Sequence, residues 1–269
     1  MSRYNKMFEG LRERGEGAFG AFLMLGDPDL ETCAKLLDAV VDGGADMIEV
    51  GIPFSDPVAD GPIIQEAAAR ALKAGTKVDH CFNLLREFRS RHPEVPVGIL
   101  TYANLLAARG RDRFCFDAAE AGVDSILIAD VPSLEAEPFT LSARTAGLDL
   151  IMIAAPNTPG QTLTRIARLG SGYTYCVARA GVTGIREGLA LEHDRLLSQL
   201  TSLNAPPAVL GFGISTPQQV RQALASGAVG VISGSAIVKL TQEGPEVVRQ
   251  FVAEMKAATI RREPARASA

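Results

Sequence analysis

Several protein classes are excluded by what this 269-residue sequence lacks. Its four cysteines, Cys33, Cys81, Cys115 and Cys176, are scattered, with no C-x-x-C pair and no zinc spacing. They read as reduced thiols of a cytosolic protein. None of the three histidines, His80, His92 and His193, pairs with acids at ligand spacing, so no metal site is expected. No serine has an obvious histidine partner for acyl transfer. All six lysines, Lys6, Lys35, Lys73, Lys77, Lys239 and Lys256, fall on predicted helices or their flanks, which disfavours a Schiff-base mechanism on a strand. No apolar run approaches the roughly 20 residues of a membrane span. The N-terminus carries Arg3 and Lys6 with no apolar stretch behind them, so it is not a signal peptide. A formal charge of -4 offers no general attraction to nucleic acid or anionic membranes. A cytoplasmic protein acting on a small molecule is expected.

What is present is an ordinary globular composition, 47% apolar and 22% charged, arranged in a repeating cycle. Short, nearly continuous apolar runs read as strands buried on both faces: 18–25, 47–50, 97–102, 125–129, 148–153, 173–178, 209–212 and 229–232. Between them lie helical patterns, several closed by glycine, as at Gly43, Gly122 and Gly147. Tyr4, Met7, Phe8 and Leu11 form a further helix before the first strand, placed to cover the bottom of a barrel. Strand–helix alternation implies a parallel sheet. Eight such units in about 250 residues point to a single α/β domain, a (β/α)8 TIM barrel with an extra N-terminal helix and additional helices in its loops. The barrel is expected over 1–258, and the basic tail 259–269, which lacks apolar anchors, is expected to fray.

Barrel active sites lie where strands end and helices begin. The stretch after the second strand, Glu49 to Pro62 (EVGIPFSDPVADGP), is the most unusual in the chain. It starts with a carboxylate at the end of an apolar strand, expensive to bury as an anion unless it is paired or its raised pKa is useful. It ends near a second carboxylate, Asp60, and two such groups around one cleft can divide acid and base duties. Glycine-bearing turns follow the seventh strand (Gly211-Phe212-Gly213-Ile214-Ser215) and the eighth (Ser233-Gly234-Ser235). These are the two loops that often hold phosphate in such barrels, although glycines there can also simply turn tight corners. Gly184, in the long loop after the sixth strand, could close over the same phosphate. Thr216, Pro217 and Gln219 fit a capping box with proline at the first helical position.

The remaining polar groups at the strand ends are Asp27, Asp56, Asp130, Tyr102 and Tyr175. Asp27 reads as a turn or cap residue, Asp130 as a cap or loop-orienting residue, and Asp56 as a stiffener of the long loop. Tyr175 touches substrate only if its strand turns it inward. Phe22, Leu100, Leu127, Ile153 and Phe212 could line an apolar pocket, or could be core packing alone. Carboxylate acid–base chemistry on a phosphorylated substrate is the reading left standing.

At these residues the chain resembles the alpha chains of tryptophan synthase. The resemblance rests on the Glu49–Pro62 stretch, with Arg179-Ala180-Gly181-Val182-Thr183-Gly184, Gly211–Ser215 and Ile232-Ser233-Gly234-Ser235-Ala236 following in the right order. It extends to about Met255. It implies cofactor-free retro-aldol cleavage of indole-3-glycerol phosphate to indole and glyceraldehyde 3-phosphate. Glu49 would be the acid–base residue, and Asp60 would accept a hydrogen bond from the indole N–H. Phosphate would sit among Gly184, Gly213, Gly234 and Ser235. Indole would lie among the apolar set, with Tyr102 also at the mouth, Tyr175 near the glycerol part, and Thr183 helping to close the site. The resemblance also implies a pyridoxal-phosphate beta chain as partner in an α2β2 complex that receives the indole, contacted through Pro53, Asp56 and Asn104. Met24, and Ala178 before Arg179, depart from the family's usual residues without removing a catalytic group. A lyase without a beta partner, a non-catalytic barrel that regulates the beta chain, and a sugar-phosphate isomerase or epimerase are the alternatives. The retained carboxylates argue against the scaffold, and the missing lysine, histidine and metal ligands against the isomerase.

Overall fold

The computed structural model describes residues 1–177, 193–211 and 213–260, with 187–192 as backbone only. Among the described residues, parallel strands form one sheet: β1 (Ala18–Met24), β2 (Met47–Gly51), β3 (Val97–Thr101), β4 (Ser125–Ile128), β5 (Asp149–Leu150), β6 (Met152–Ala154), β7 (Thr174–Val177), β8 (Ala208–Gly211) and β9 (Gly230–Ser233). Their order is β5-β4-β3-β2-β1-β9-β8-β7-β6. The two ends of that series, β5 and β6, are consecutive pieces of one run parted at Ile151. β5 pairs with β4 and β6 with β7, so the sheet closes on itself as an eight-stranded barrel. The fifth strand expected over 148–153 is therefore split. The Ile151 N–H still donates to the Ile126 carbonyl at 2.8 Å before the chain changes neighbours.

Side-chain alternation along the strands divides the core in two. In β1, Phe19, Ala21 and Leu23 point outward beneath the helices, and Phe22 and Met24 point into the barrel. In β2, Ile48 and Val50 face the helices and Met47 faces inward. Glu49 shares the inward parity of Met47, directly opposite Phe22 in the register. Both faces of every strand are thus covered, which is why the strands read as continuous apolar runs instead of alternating ones.

Glycine makes room for tyrosines at two inward positions. A Cβ on Gly98, beside Glu49 in the register, would stand 2.7 Å from the Ser125 Oγ and 3.0 Å from the Tyr4 hydroxyl. One on Gly211 would fall 2.1 Å from the Tyr175 hydroxyl. The room left by the missing side chains is filled by tyrosines.

The N-terminal helix, Arg3–Glu13, begins at an N-cap serine, Ser2, and buries Tyr4 and Leu11. Tyr4 reaches Ser125 at the start of β4, its hydroxyl 2.9 Å from the serine Oγ, so the helix closes the barrel end opposite the strand C-termini. The capping box at Thr216 and Gln219 forms as expected, with Pro217 at the first helical position. The structure adds a helix over Ala103–Arg109 that the sequence pattern does not indicate. It spans only seven residues, too few to establish an apolar period. After Ser235–Leu240 the chain forms a further helix, Pro245–Ala257. Thr259 is buried, its carbonyl accepts the Gly17 N–H at 3.0 Å, and Ile260 bridges to Glu16. The rest of the expected tail, 261–269, lies outside the described residues, as do Ala178 and Phe212 at the expected ends of two strands.

Asp124, at the foot of β4, ties the bottom of the barrel together. It accepts from Arg3 (2.8 Å), from Arg89 (2.8 Å) and from the Val97 N–H (2.8 Å). Its side chain is 9% exposed and that of Arg89 13%. Removing one partner of a buried ion pair leaves the other charge uncompensated. Asp124→Ala is therefore expected to lower the unfolding free energy by about 3 kcal/mol, measured as a lower urea midpoint at unchanged slope. An unchanged midpoint would show that Arg89 finds its partners elsewhere.

Candidate active site

The strand C-termini open into a cavity of about 510 Å³. Glu49 and Asp60 line it together with Phe22, Leu100, Tyr175, Gly213, Gly234 and Ser235, all singled out from the sequence. Ile64, Ile214, Ile232 and Lys239 line it too and were not. Tyr175 does point inward. Leu127 and Ile153 belong to the same inner cluster but stop short of the cavity wall. Thr183, Gly184 and Phe212 lie outside the described residues.

Glu49 is 3% exposed. Tyr173, on the barrel floor, donates its hydroxyl hydrogen to the Glu49 Oε1 at 3.1 Å. Tyr173 in turn packs edge-on against Tyr4 from the N-terminal helix, ring centroids 5.4 Å apart. Burial is the largest influence on the Glu49 carboxyl and pushes its pKa up to about 7. The Tyr173 hydrogen bond opposes that rise, and the charge of Asp60 adds to it. Near neutral pH Glu49 can therefore give or take a proton.

Asp60 is held differently. The loop carrying it follows β2, and the helix Pro62–Lys73 starts at once behind it, with proline in its first turn. Tyr102, at the end of β3, donates to the Asp60 carboxylate and accepts the Ala59 N–H at 3.2 Å. Phe54 packs on the Tyr102 ring with centroids 5.3 Å apart. Burial raises the Asp60 pKa, and the Tyr102 hydrogen bond works against that rise. Tyr102 thus stands behind Asp60, outside the cavity wall. The sequence could mark Tyr102 as a strand-end tyrosine, but not which carboxylate it would meet.

The other acids have structural partners. Asp27 is buried in a two-pronged ion pair with Arg70, at 2.7 and 2.8 Å, fastening the first loop to the helix behind Asp60. Asp130 accepts the Ala103 N–H at 2.8 Å and so caps the helix Ala103–Arg109. Asp56, on the loop after β2, and Asn104, in the first turn of the helix Ala103–Arg109, are exposed at the cavity end of the barrel, whereas Pro53 is buried.

The glycine turns after β8 and β9, where phosphate is expected, line the same cavity, and the helix Ser235–Leu240 that follows them packs against the helix Pro62–Lys73. Gly213 takes a positive φ of 77°, open to glycine at no steric cost. Gly234 precedes the helix Ser235–Leu240 and has no side-chain cap. A Cβ there would meet nothing closer than 3.8 Å, so the turn leaves open space toward the cavity. Ser233 donates to the Ile214 carbonyl at 2.7 Å and holds the two glycine turns side by side.

The chain matches the family model described as tryptophan synthase alpha chain over residues 8–266. It is similar to the tryptophan synthase alpha chain of Aeromonas hydrophila, with 50% identity over 268 residues, covering 97% of this chain and 100% of that one. The alpha chain of Shewanella amazonensis is 49% identical over 266 residues, covering 96% and 100%. A crystal structure of tryptophan synthase alpha chain from Legionella pneumophila superposes with a TM-score of 0.88 at 31% identity, covering 96% of this chain and 97% of that one.

A carboxyl whose pKa is raised on folding weakens the fold as it ionises. Below pH 4.5 both states are protonated and Glu49 has no effect. Between 4.5 and about 7 the unfolded chain releases its proton first, so stability falls as pH rises, and above about 7 the loss is complete. Glu49→Gln is expected to stabilise the fold by about 2 kcal/mol at pH 8 and by less than about 1 kcal/mol at pH 5. Urea unfolding at the two pH values checks this, and an equal gain at both would detach it from the titration of Glu49.

Proposed function

This chain belongs to the tryptophan synthase alpha chain family, and on that premise we propose how its cavity residues share the alpha reaction. It is an indole-3-glycerol-phosphate lyase of tryptophan biosynthesis. The reaction is a retro-aldol cleavage to indole and glyceraldehyde 3-phosphate and needs no cofactor; pyridoxal phosphate belongs to the beta chain.

Glu49 in its acid form protonates C3 of the indole ring, giving an indoleninium cation. The carboxylate so formed then takes the proton of the adjacent glycerol hydroxyl. The C–C bond breaks, its electron pair returns to the ring and quenches the cation, and the alkoxide carbon becomes the aldehyde. Glu49 ends the cycle protonated, as it began. A single group can serve both steps only if its pKa lies near the working pH, and the value of about 7 meets that condition. Asp60 accepts the indole N–H and stabilises the ring while it is cationic, a fixed anion beside a developing positive charge. Tyr173 and Tyr102 orient the two carboxylates from opposite sides. The single observation that carries this assignment is that both acids line one cavity, each backed by its own tyrosine.

Phe22, Leu100 and Phe212 would hold the indole, with Ile64 and Ile232 adding apolar wall and Leu127 and Ile153 in the inner cluster behind it. Phosphate would lie among Gly184, Gly213, Gly234 and Ser235, at the end of the cavity away from Asp60, with Tyr175 near the glycerol part. Thr183 would help exclude water on closure. Wild type is expected to release indole from indole-3-glycerol phosphate. Glu49→Gln and Asp60→Asn are each expected to lower kcat by a factor of at least about 10². Wild-type rates in Glu49→Gln would remove Glu49 from the proton transfers.

The partner we propose is a tryptophan synthase beta chain, in an α2β2 complex that receives the indole. Asp56 and Asn104 are exposed at the mouth. So are two large apolar side chains on loops at the same end, Val58 at 81% and Leu134 at 70% exposure, the kind of surface that a partner covers. Val58→Asp is expected to weaken beta-chain binding about tenfold or more, while indole release by the isolated chain persists. Titration calorimetry with a beta chain tests it, and unchanged affinity would place the contact elsewhere.

A further inference from the structure

Among the described residues lining the cavity there are two acids, Glu49 and Asp60, and one cation, Lys239. Lys239 stands four residues after Ser235 on the helix Ser235–Leu240, a separation that puts both side chains on one helix face. Because Cα–Cβ bonds tilt toward the helix start, the lysine stem leads back over Ser235 instead of away from it. Lys6, Lys35 and Lys256 each sit beside a carboxylate. Lys239 is exposed and has no ion-pair partner among the described residues.

A phosphate ester entering this cavity adds charge of the sign that Glu49 and Asp60 already supply. Backbone N–H groups at glycine turns provide dipoles but no net charge. We propose that Lys239 is a phosphate-binding residue, its ammonium making a charge-assisted hydrogen bond to the substrate phosphate on the solvent side of Gly213, Gly234 and Ser235. This rests on the reading that phosphate lies at those turns. A lysine suits the position. It is a compact charge on a flexible stem, able to meet the phosphate at entry and release it with glyceraldehyde 3-phosphate, whereas a rigid guanidinium fork would demand one geometry. Lying at the phosphate end, away from the reacting carbon, Lys239 serves affinity and discrimination for the phosphorylated substrate more than the chemical step.

The test is steady-state cleavage by the full chain, alone and with a beta chain, for wild type, Lys239→Met and Lys239→Arg, with inorganic phosphate and indole as inhibitors. Methionine keeps an unbranched apolar stem and removes the charge. In Lys239→Met, KM for indole-3-glycerol phosphate and the inhibition constant of phosphate are each expected to rise about tenfold or more. Over the same change kcat should fall by less than about threefold. The inhibition constant of uncharged indole should stay put, the salt dependence of KM should flatten, and Lys239→Arg should recover part of the loss. A merely structural role would shift indole and phosphate together, and that result would overturn the assignment. Gly234→Asp separates the two readings, since its Cβ meets no atom closer than 3.8 Å and it adds a negative charge at the turn. If Gly234→Asp abolishes phosphate inhibition and Lys239→Met leaves it intact, the phosphate site stands and the lysine assignment falls. If neither moves it, the phosphate reading falls as well.

Discussion

The buried carboxyl of Glu49 is the constraint around which the barrel interior is arranged. A carboxylate taken from water into an apolar interior is disfavoured unless it is neutralised or hydrogen-bonded. Among the described residues it receives a hydrogen bond from Tyr173, and its pKa rises to about 7. That balance leaves it neither a permanent anion nor a permanent acid. A second strong donor would have pulled the pKa back toward 4.5 and left a poor acid. Complete burial without a donor would have pushed it further up and left a poor base.

Holding that balance requires a layered interior. Tyr173 can reach Glu49 because Tyr4 supports it from below, and Tyr4 can lie there because the N-terminal helix plugs the barrel and Gly98 leaves room for its hydroxyl. Gly211 does the same for Tyr175 higher up. The inward face of the barrel is thus built from large rings set against positions with no side chain, which is how a closed barrel of eight strands can be filled without voids. Stability at the bottom and chemistry at the top are connected through these rings.

The cavity brings together groups of different chemistry. Glu49 and Asp60 stand on the second strand and its loop, backed by tyrosines, and in the proposed reaction they are where charge changes or is matched. The glycine turns and Lys239 stand after the last two strands, where the proposal has charge only held. Asp27 and Arg70 fasten the first loop to the helix that starts behind Asp60.

Much of this was legible in the order of residues. The apolar runs, their spacing and the glycines that end the helices determined an eight-unit barrel, because strand and helix periods are local properties of the chain. The stretch from Glu49 to Pro62 and the glycine turns near 213 and 234 were legible as parts of one cleft, because a parallel barrel brings the ends of its strands to one face, and they do line one cavity. Which residues actually meet was decided only by the tertiary structure. Tyr173 and Glu49 are 124 residues apart, and nothing local announces their hydrogen bond or the burial that sets the pKa. Leu127 and Ile153 pair in register with Leu100 and Tyr175, yet only the latter two line the cavity. Lys239 looks like any helical surface lysine in the sequence, and its access to the cavity follows from where the last short helix is docked. Residue type and period are encoded locally, whereas burial, depth and partnership come from contacts between distant segments, and those contacts exist only once the barrel has closed.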